Sequence, residues 1–328
     1  MSKIMKSNVF LLCLFAFSLS VSAVSAASYP SRDIRMIVPW GAGGGTDGIV
    51  RKISTIAEKE LGQSIYVENI EGGMSATGLT QVMKARPDGY TLGALTYDSV
   101  ITVPWQGLLP SYKLSKLKLI ARLTSEADAI MVNSKSSYKT LADLVAAAKK
   151  NPGKIKVGIQ NTGSRVHLAM LQFQNKAGVE FKLVSYPGGA APQKEAVLSG
   201  EVDVVVTSLG DFSSLIESGD VRGVAEFSET RNPTYPDVPT AKEEGYDIQV
   251  GSFIILAAPA NTPADALAKV EAAYKKALES DEFQTWVVKA AVTPSWLGSD
   301  EVSTWVDKTQ KTIFDQMQSL IDQGIIKK

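Results

Sequence analysis

The chain has 328 residues, 45% of them apolar and 21% charged, with 34 basic and 34 acidic side chains. That is enough apolar material for a sizeable core, and the length suggests about two domains, which excludes a disordered or fibrous chain. No basic surplus points to nucleic acid, and no basic run points to a membrane surface.

The first 26 residues read as an export signal. Lys3 and Lys6 give a positive start, residues 9–19 form an apolar run too short to span a bilayer, and Val24 and Ala26 fit the small-residue positions before a cleavage site. Cleavage is expected after Ala26, with Ala23 as second choice. Losing Lys3 and Lys6 leaves 32 basic against 34 acidic residues, a net charge of −2. Cys13, the only cysteine, lies inside the apolar run, and Leu12 precedes it where a lipoprotein signal would carry a small residue. The mature chain then has no thiol for a disulfide, a metal site or a nucleophile, and a single histidine, His167, excludes multi-histidine metal sites. Neither a cofactor nor a metal is expected.

Residues 34–48, IRMIVPWGAGGGTDG, set the pattern for the mature chain. Ile34, Met36, Ile37 and Val38 make the apolar run of a buried strand, and Pro39 stops it. Gly41, Ala42, Gly43, Gly44 and Gly45 then form a loop almost without side chains. Thr46 and Asp47 are helix-starting residue types, and Ile49, Val50, Ile53, Ala57 and Leu61 recur at helical spacing. A bare loop at a helix N-terminus presents N–H donors and the positive end of the dipole to an anion. Four glycines in five residues exceed what a plain turn needs, so this stretch reads as half of an anion site.

A strand is predicted over 64–68, a glycine-bearing loop over 69–73, a helix over 75–86, a turn at 87–90 and a strand over 91–97. Residues 101–118, with Pro104 and Pro110, read as an irregular excursion. Strands follow at 127–132, 155–159, 181–184, 202–207 and 221–227, with helices at 141–150, 165–176 and 192–198 between them. Residues 231–245 read as irregular, 251–258 as a strand, and 263–278 as an amphipathic helix capped by Thr262 with Pro263 in its first turn. Helices over 282–290 and 301–325 end the chain. Strand alternating with helix calls for mostly parallel sheets flanked by helices. Two such runs imply an α/β protein of two lobes: residues 27–125 with 251–328, and residues 126–250. Ligands in such sheets bind beyond the carboxyl ends of the strands, so the glycine loops at 41–45, 72–73, 162–164 and 187–190 are expected to converge on one cleft.

Several motifs compete for the chemistry. Residues 43–48 match G-x-G-x-x-G, and Glu68 stands 20 residues beyond Gly48, as in a dinucleotide-binding oxidoreductase. Pro39 and Trp40 intrude between strand and loop, and export removes the chain from the cytoplasmic nicotinamide pool. No lysine follows the glycines, which excludes a P-loop. Ser75 lies in GMSAT, where Thr77 replaces the second glycine of a hydrolase elbow. A triad would have only His167, which equally serves as a helix cap or a packed residue. Arg165, just inside a helix, is a candidate two-pronged partner for a ligand carboxylate or a solvated helix residue. Trp40 either lines a pocket or packs between lobes.

The stretches VPWGAGGGTD, LGQSIYVEN, PDGYTL, NPGKIKVG, GSRVHLA, YPGGAAP and YPDVPTAKEEGY, in this order from about Tyr29 to Pro263, resemble the solute-binding proteins of tripartite tricarboxylate transporters, the Bug family. The resemblance implies a periplasmic, two-lobed, type II-like binding protein, monomeric and without cofactor. Such a protein closes on a small organic acid and delivers it to membrane permease subunits; it is not an enzyme. A dicarboxylate, a tricarboxylate, an acidic amino acid or an aromatic acid all fit. The resemblance further implies ligand contacts, largely through backbone amides and waters, from Trp40, Ala42, Gly43, Gly44 and Thr46 and from Met74, Ser75, Ala76 and Thr77. The second lobe would contribute Gly163, Ser164, Arg165, His167, Tyr186, Gly189 and Asp211. The first loop departs from the more usual Pro-Phe-Pro-Pro-Gly-Gly, Arg165 is not expected at its position, and Ser75 and Thr77 add hydroxyls to the second loop. A periplasmic enzyme on the same scaffold is the alternative, and a turnover assay separates the two.

Overall fold

The computed structural model describes residues 29–324, apart from 108 and 188. The export signal, its cleavage site and Cys13 lie outside the described residues. In chain order the elements are β1 (Ile34–Val38), α1 (Gly45–Leu61), β2 (Ile65–Asn69), α2 (Ala76–Lys84), β3 (Thr91–Leu95), α3 (Val103–Gln106), β4 (Leu117–Asn133), α4 (Leu141–Lys150) and β5 (Lys156–Ile159). They continue with α5 (Arg165–Ala177), β6 (Lys182–Ser185), α6 (Ala190–Ser199), β7 (Val204–Ser208), α7 (Ser213–Glu217), β8 (Val221–Glu226) and β9 (Gly251–Pro259). The chain closes with α8 (Ala264–Glu279), α9 (Asp281–Ala290), β10 (Pro294–Leu297) and α10 (Ser299–Asp322).

The strands run in the order β2-β1-β3-β9-β4-β7-β5-β6, with β8 and β10 also paired to β4. The outer strands are parallel, as the alternation of strand and helix requires: β1 with β2 and β3, and β5 with β6 and β7. The middle is antiparallel, because β9 returns between β3 and β4, and β4 meets β7 and β8 antiparallel. The architecture is α/β, with mixed sheets covered by helices.

β4 joins the two halves. It pairs with β9 from Leu117 opposite Pro259 to Ala127 opposite Gly251, and from Asp128 onward with β7 and β8. The sequence predicts only residues 127–132 as strand there. The register shifts between Leu119 and Ala121 and between Arg122 and Thr124 explain the difference, because a bulge breaks the two-residue alternation that marks a strand. At the crossing, a Cβ on Gly251 would lie 2.2 Å from the Glu126 carbonyl oxygen and 2.8 Å from Ala127 Cα. Only glycine lets the two strands pass this closely.

Each half has its own core. In the first, α1 lays Ile49, Val50, Ile53, Ile56 and Ala57 against the sheet beside Tyr274 of α8 and Phe283 of α9. The other face packs Leu79 and Val82 of α2 and Val302 and Val306 of α10 on Ile37 and Leu95. Truncating one such side chain, as in Ile53→Ala, costs about 2–5 kcal/mol. The Ser54 and Tyr274 hydroxyls, 2.7 Å apart, fix α1 to α8. In the second half, Leu144 of α4 and Phe173 of α5 cover Val157 and Val206. Val197 of α6 and Phe212 cover Val205 on the other face. Thr262 does not cap α8: its hydroxyl donates to the Pro259 carbonyl at 2.8 Å, and Pro263 stands at the cap position.

Candidate functional site

Three helices begin at one cavity of about 50 Å³ between the halves. Gly44, Gly45 and Thr46 at the start of α1, Arg165 at the start of α5, and Gly189 and Ala190 at the start of α6 all line it. The helices are 17, 13 and 10 residues long, and each brings roughly half a positive charge to its first turn; the first N–H of α5, that of Arg165, already donates to Asp98 Oδ1 at 3.4 Å.

Asp47 shapes the first loop. Its carboxylate accepts from the Gly43 N–H, Arg51 Nε and Asn69 Nδ2, each at 2.9 Å. Burial alone would raise this carboxyl, but Arg51, the Gly43 amide and Asn69 together hold it below its ordinary range. Asn69 Nδ2 also donates to the Trp40 carbonyl at 2.9 Å, and Trp40 Nε1 donates to Thr96 Oγ1 at 3.1 Å. The loop is therefore tied to its own helix, to β2 and to the end of β3.

A carboxylate from the other half stands against this loop. A Cβ on Gly45 would fall 1.8 Å from Asp211 Oδ1. The Thr207 hydroxyl donates to the other Asp211 oxygen, and the Asp211 N–H donates to Ser208 Oγ at 3.2 Å. Glu126 is the second acid in the cavity. It is 7% exposed, and its Oε1 has no hydrogen-bond partner among the described residues. Burial pushes its carboxyl up to about 8, and the Asp211 charge acts in the same direction.

Arg165 is buried, 5% exposed, and already paired. Its Nε and Nη2 donate to the two oxygens of Asp128, both at 2.8 Å. Nη1 donates to Gln160 Oε1 at 3.3 Å and lies 3.7 Å from Asp98 Oδ2. Burial raises the Asp98 and Asp128 carboxyls, and the guanidinium pulls them back; burial disfavours the guanidinium charge, and the two carboxylates outweigh it. Asp98 follows β3 in the first half, and Arg165 opens α5 in the second, so this ion pair crosses between the halves. Gln106 Nε2 donating to the Gly163 carbonyl at 3.2 Å, and the Thr234 hydroxyl donating to the Val288 carbonyl at 3.2 Å, cross there too.

Of the residues singled out in the sequence, Trp40, Gly44, Thr46, Arg165, Gly189 and Asp211 line this cavity. Gly43 lines an adjoining outer cavity of about 410 Å³. Met74, Ser75, Ala76 and Thr77 line neither. Ser75 is buried and its Oγ accepts from Ser99 Oγ at 2.8 Å, while Met74 and Ser75 hold positive φ of 51° and 84°. Ala42 is exposed beside the loop, and Ser164 is buried under the start of α5. The Gly163 N–H donates to His167 Nδ1 at 2.9 Å, so the histidine closes the turn before α5; burial lowers its pKa. Tyr186 packs against Gly158, and its hydroxyl donates to Glu201 at 2.8 Å.

Sequence reasoning missed Thr96, Glu126, Gln160 and Ser252, all of which line the cavity. For Glu126 there was a signal. Glu126 and Asp128 lie two apart in SEADAIMVN, on one face of an apolar strand. An open cavity of about 590 Å³ between α5, α10 and residues 226–233 is larger, but among the singled-out residues only Arg165 reaches it. The small cavity, where the helix starts meet Glu126 and Asp211, is the chemically specific one. Among the described residues, no group of three His, Cys, Asp or Glu side chains is placed to hold a metal ion.

Residues 49–321 match the model of the tripartite tricarboxylate transporter family receptor. The chain is 30% identical over 299 residues to Protein BugT of Bordetella pertussis, covering 90% of this chain and 89% of that one. It superposes on the structure of periplasmic binding protein BugD with a TM-score of 0.83 at 26% identity, covering 92% of this chain and 100% of that one. On MatC from Rhodopseudomonas palustris with bound malate, the TM-score is 0.79 at 25% identity, over 88% of this chain and 99% of that one.

Proposed function

Because this chain belongs to the tripartite tricarboxylate transporter receptor family, whose members are periplasmic binding proteins and not enzymes, we propose that it captures a small organic carboxylate in the cavity where α1, α5 and α6 begin and hands it to the membrane permease subunits of such a transporter. The observation that carries this reading is the convergence of three helix N-termini on one small cavity, an arrangement that favours an anion. The malate held by the relative MatC supports the ligand class.

Entry and release then separate the two halves, which the Asp98–Arg165 ion pair and the hydrogen bonds of Gln106 and Thr234 tie together. Residues 27–125 with 251–328 then act as one lobe and residues 126–250 as the other, hinged where β4 and β9 cross. Residues 1–26 direct export and are removed, leaving a monomer that begins at Ala27.

The test is a thermal-shift and calorimetric screen of mono-, di- and tricarboxylates, acidic amino acids and aromatic acids. A ligand at a hundredfold its Kd adds about 2.7 kcal/mol to stability, a clear rise in melting temperature. Small-angle scattering should show compaction on binding. Melting temperatures unmoved by every acid in the screen, or steady conversion of an acid to product, would overturn the reading.

A further inference from the structure

Resting on that reading, we infer that the carboxylate captured belongs to an α-amino acid, whose carboxylate sits at the start of α1 and whose ammonium group sits between Glu126 and Asp211. The charges of the inner cavity lead there. Among the described residues Arg165 is its only cationic side chain, and Asp128, Asp98 and Gln160 surround that guanidinium. A second carboxylate in the inner cavity would meet no free cation and would face two acids.

Glu126 is the second observation. It is more than nine-tenths buried, it lines the inner cavity, and its Oε1 lacks a donor. A buried acceptor without a partner is costly, and an ammonium group brings three donors and a charge that favours the ionised form of Glu126, which burial otherwise disfavours. A hydroxyl in the same place brings one donor and no charge.

The positions of the two seats fix the spacing of the ligand's groups. A Cβ on Gly45 would fall 1.8 Å from Asp211 Oδ1, so the acid that receives the ammonium adjoins the helix start that receives the carboxylate. Two groups on one carbon fit such neighbouring seats; groups at opposite ends of a longer chain do not. The outer cavity shares Gly44, Gly45, Glu126 and Asp211 with the inner one and carries Lys194 and Lys289. The amino-acid side chain extends into it.

Titration calorimetry on the mature protein with matched pairs tests this: L-alanine against L-lactate, L-aspartate against L-malate, and L-glutamate against L-2-hydroxyglutarate. Each pair differs only by an ammonium or a hydroxyl on the same carbon. The amino acid should bind at least tenfold tighter in every pair that binds. Glu126→Gln and Asp211→Asn should each shrink that ratio severalfold. A hydroxy acid that binds as tightly as its amino partner in the wild-type protein overturns the inference and leaves carboxylate capture standing, and the wild-type comparison decides this even where a variant fails to fold. A preference unmoved in both folded variants overturns the placement of the ammonium. Lack of binding by all six compounds overturns the inference, and only the silence of the wider acid screen also removes carboxylate capture.

Discussion

Replacing Arg165 by methionine keeps the length of the side chain and removes its charge. Two carboxylates are then left buried: Asp128, which loses two bonds of 2.8 Å, and Asp98, which loses its neighbour at 3.7 Å. Breaking a buried pair by removing one partner costs roughly 3–5 kcal/mol. In a chain of this size that is a fall in melting temperature of roughly 5–10 °C. The pH dependence carries a sign as well. Burial raises both carboxyls, and without the guanidinium that rise is unopposed. A carboxyl whose folded pKa exceeds its unfolded value of about 3.9 favours folding most at low pH and loses that contribution as pH rises through the folded pKa. The Arg165→Met deficit, followed by circular dichroism, should therefore be larger at pH 7 than at pH 5. Arg165→Met with Asp128→Asn should recover part of the loss, because it removes one orphaned charge. A variant that melts within about 2 °C of wild type at both pH values yet binds no acid would refute this account and make Arg165 a ligand anchor.

Gly45→Ala should leave stability nearly unchanged but weaken acid binding tenfold or more in calorimetry, because the new methyl would lie 1.8 Å from Asp211 Oδ1; adding Asp211→Gly should restore the closed shape seen by scattering. Glu126, raised to about 8 in the folded protein, contributes stability fully below its unfolded pKa of about 4.3 and loses it as pH rises through 8. Glu126→Gln should accordingly flatten the melting temperature against pH between 5 and 8, and a slope equal to wild type would show that Glu126 does not titrate there. Asp47→Ala should cost about 1.5–3 kcal/mol in urea unfolding at pH 7, since it releases the Gly43 amide, Arg51 and Asn69. Because the Asp47 pKa is lowered in the fold, its contribution is present above the unfolded value and fades as pH falls through the folded one, so the gap between the two proteins should narrow as pH falls below the unfolded value.

The first glycine loop was legible because its information is local: an apolar run, a stop, bare residues and helical spacing lie within 28 residues of one another, from Ile34 to Leu61. The helix start at Arg165 was legible for the same reason, but its role was not. Neither the solvated nor the ligand-bound reading considered Asp128 or Asp98, which stand 37 and 67 residues away and come together only through the sheet order. β4 hid behind its bulges, and with it Glu126. The second loop's place in the sequence implies ligand contact, whereas in this arrangement the Ser75 hydroxyl is turned inward to Ser99.

Gly251 and Ala127 mark the last paired rung of the β4–β9 ribbon, and Glu126 sits beside it. In a hinge, a few residues absorb the whole rotation. A group on the axle sweeps almost no arc, while one far out on an arm sweeps a long one. In the closure proposed above, Glu126 would be such an axle group, and the starts of α1 and α6 would ride on the arms. An incoming molecule thus finds the acid of the axle already in its final position and the helix ends still apart. Under that proposal sorting by charge would come before sealing, and a wrong solute would be turned away while the jaws are open, at the rate of diffusion and not at the slower rate of reopening.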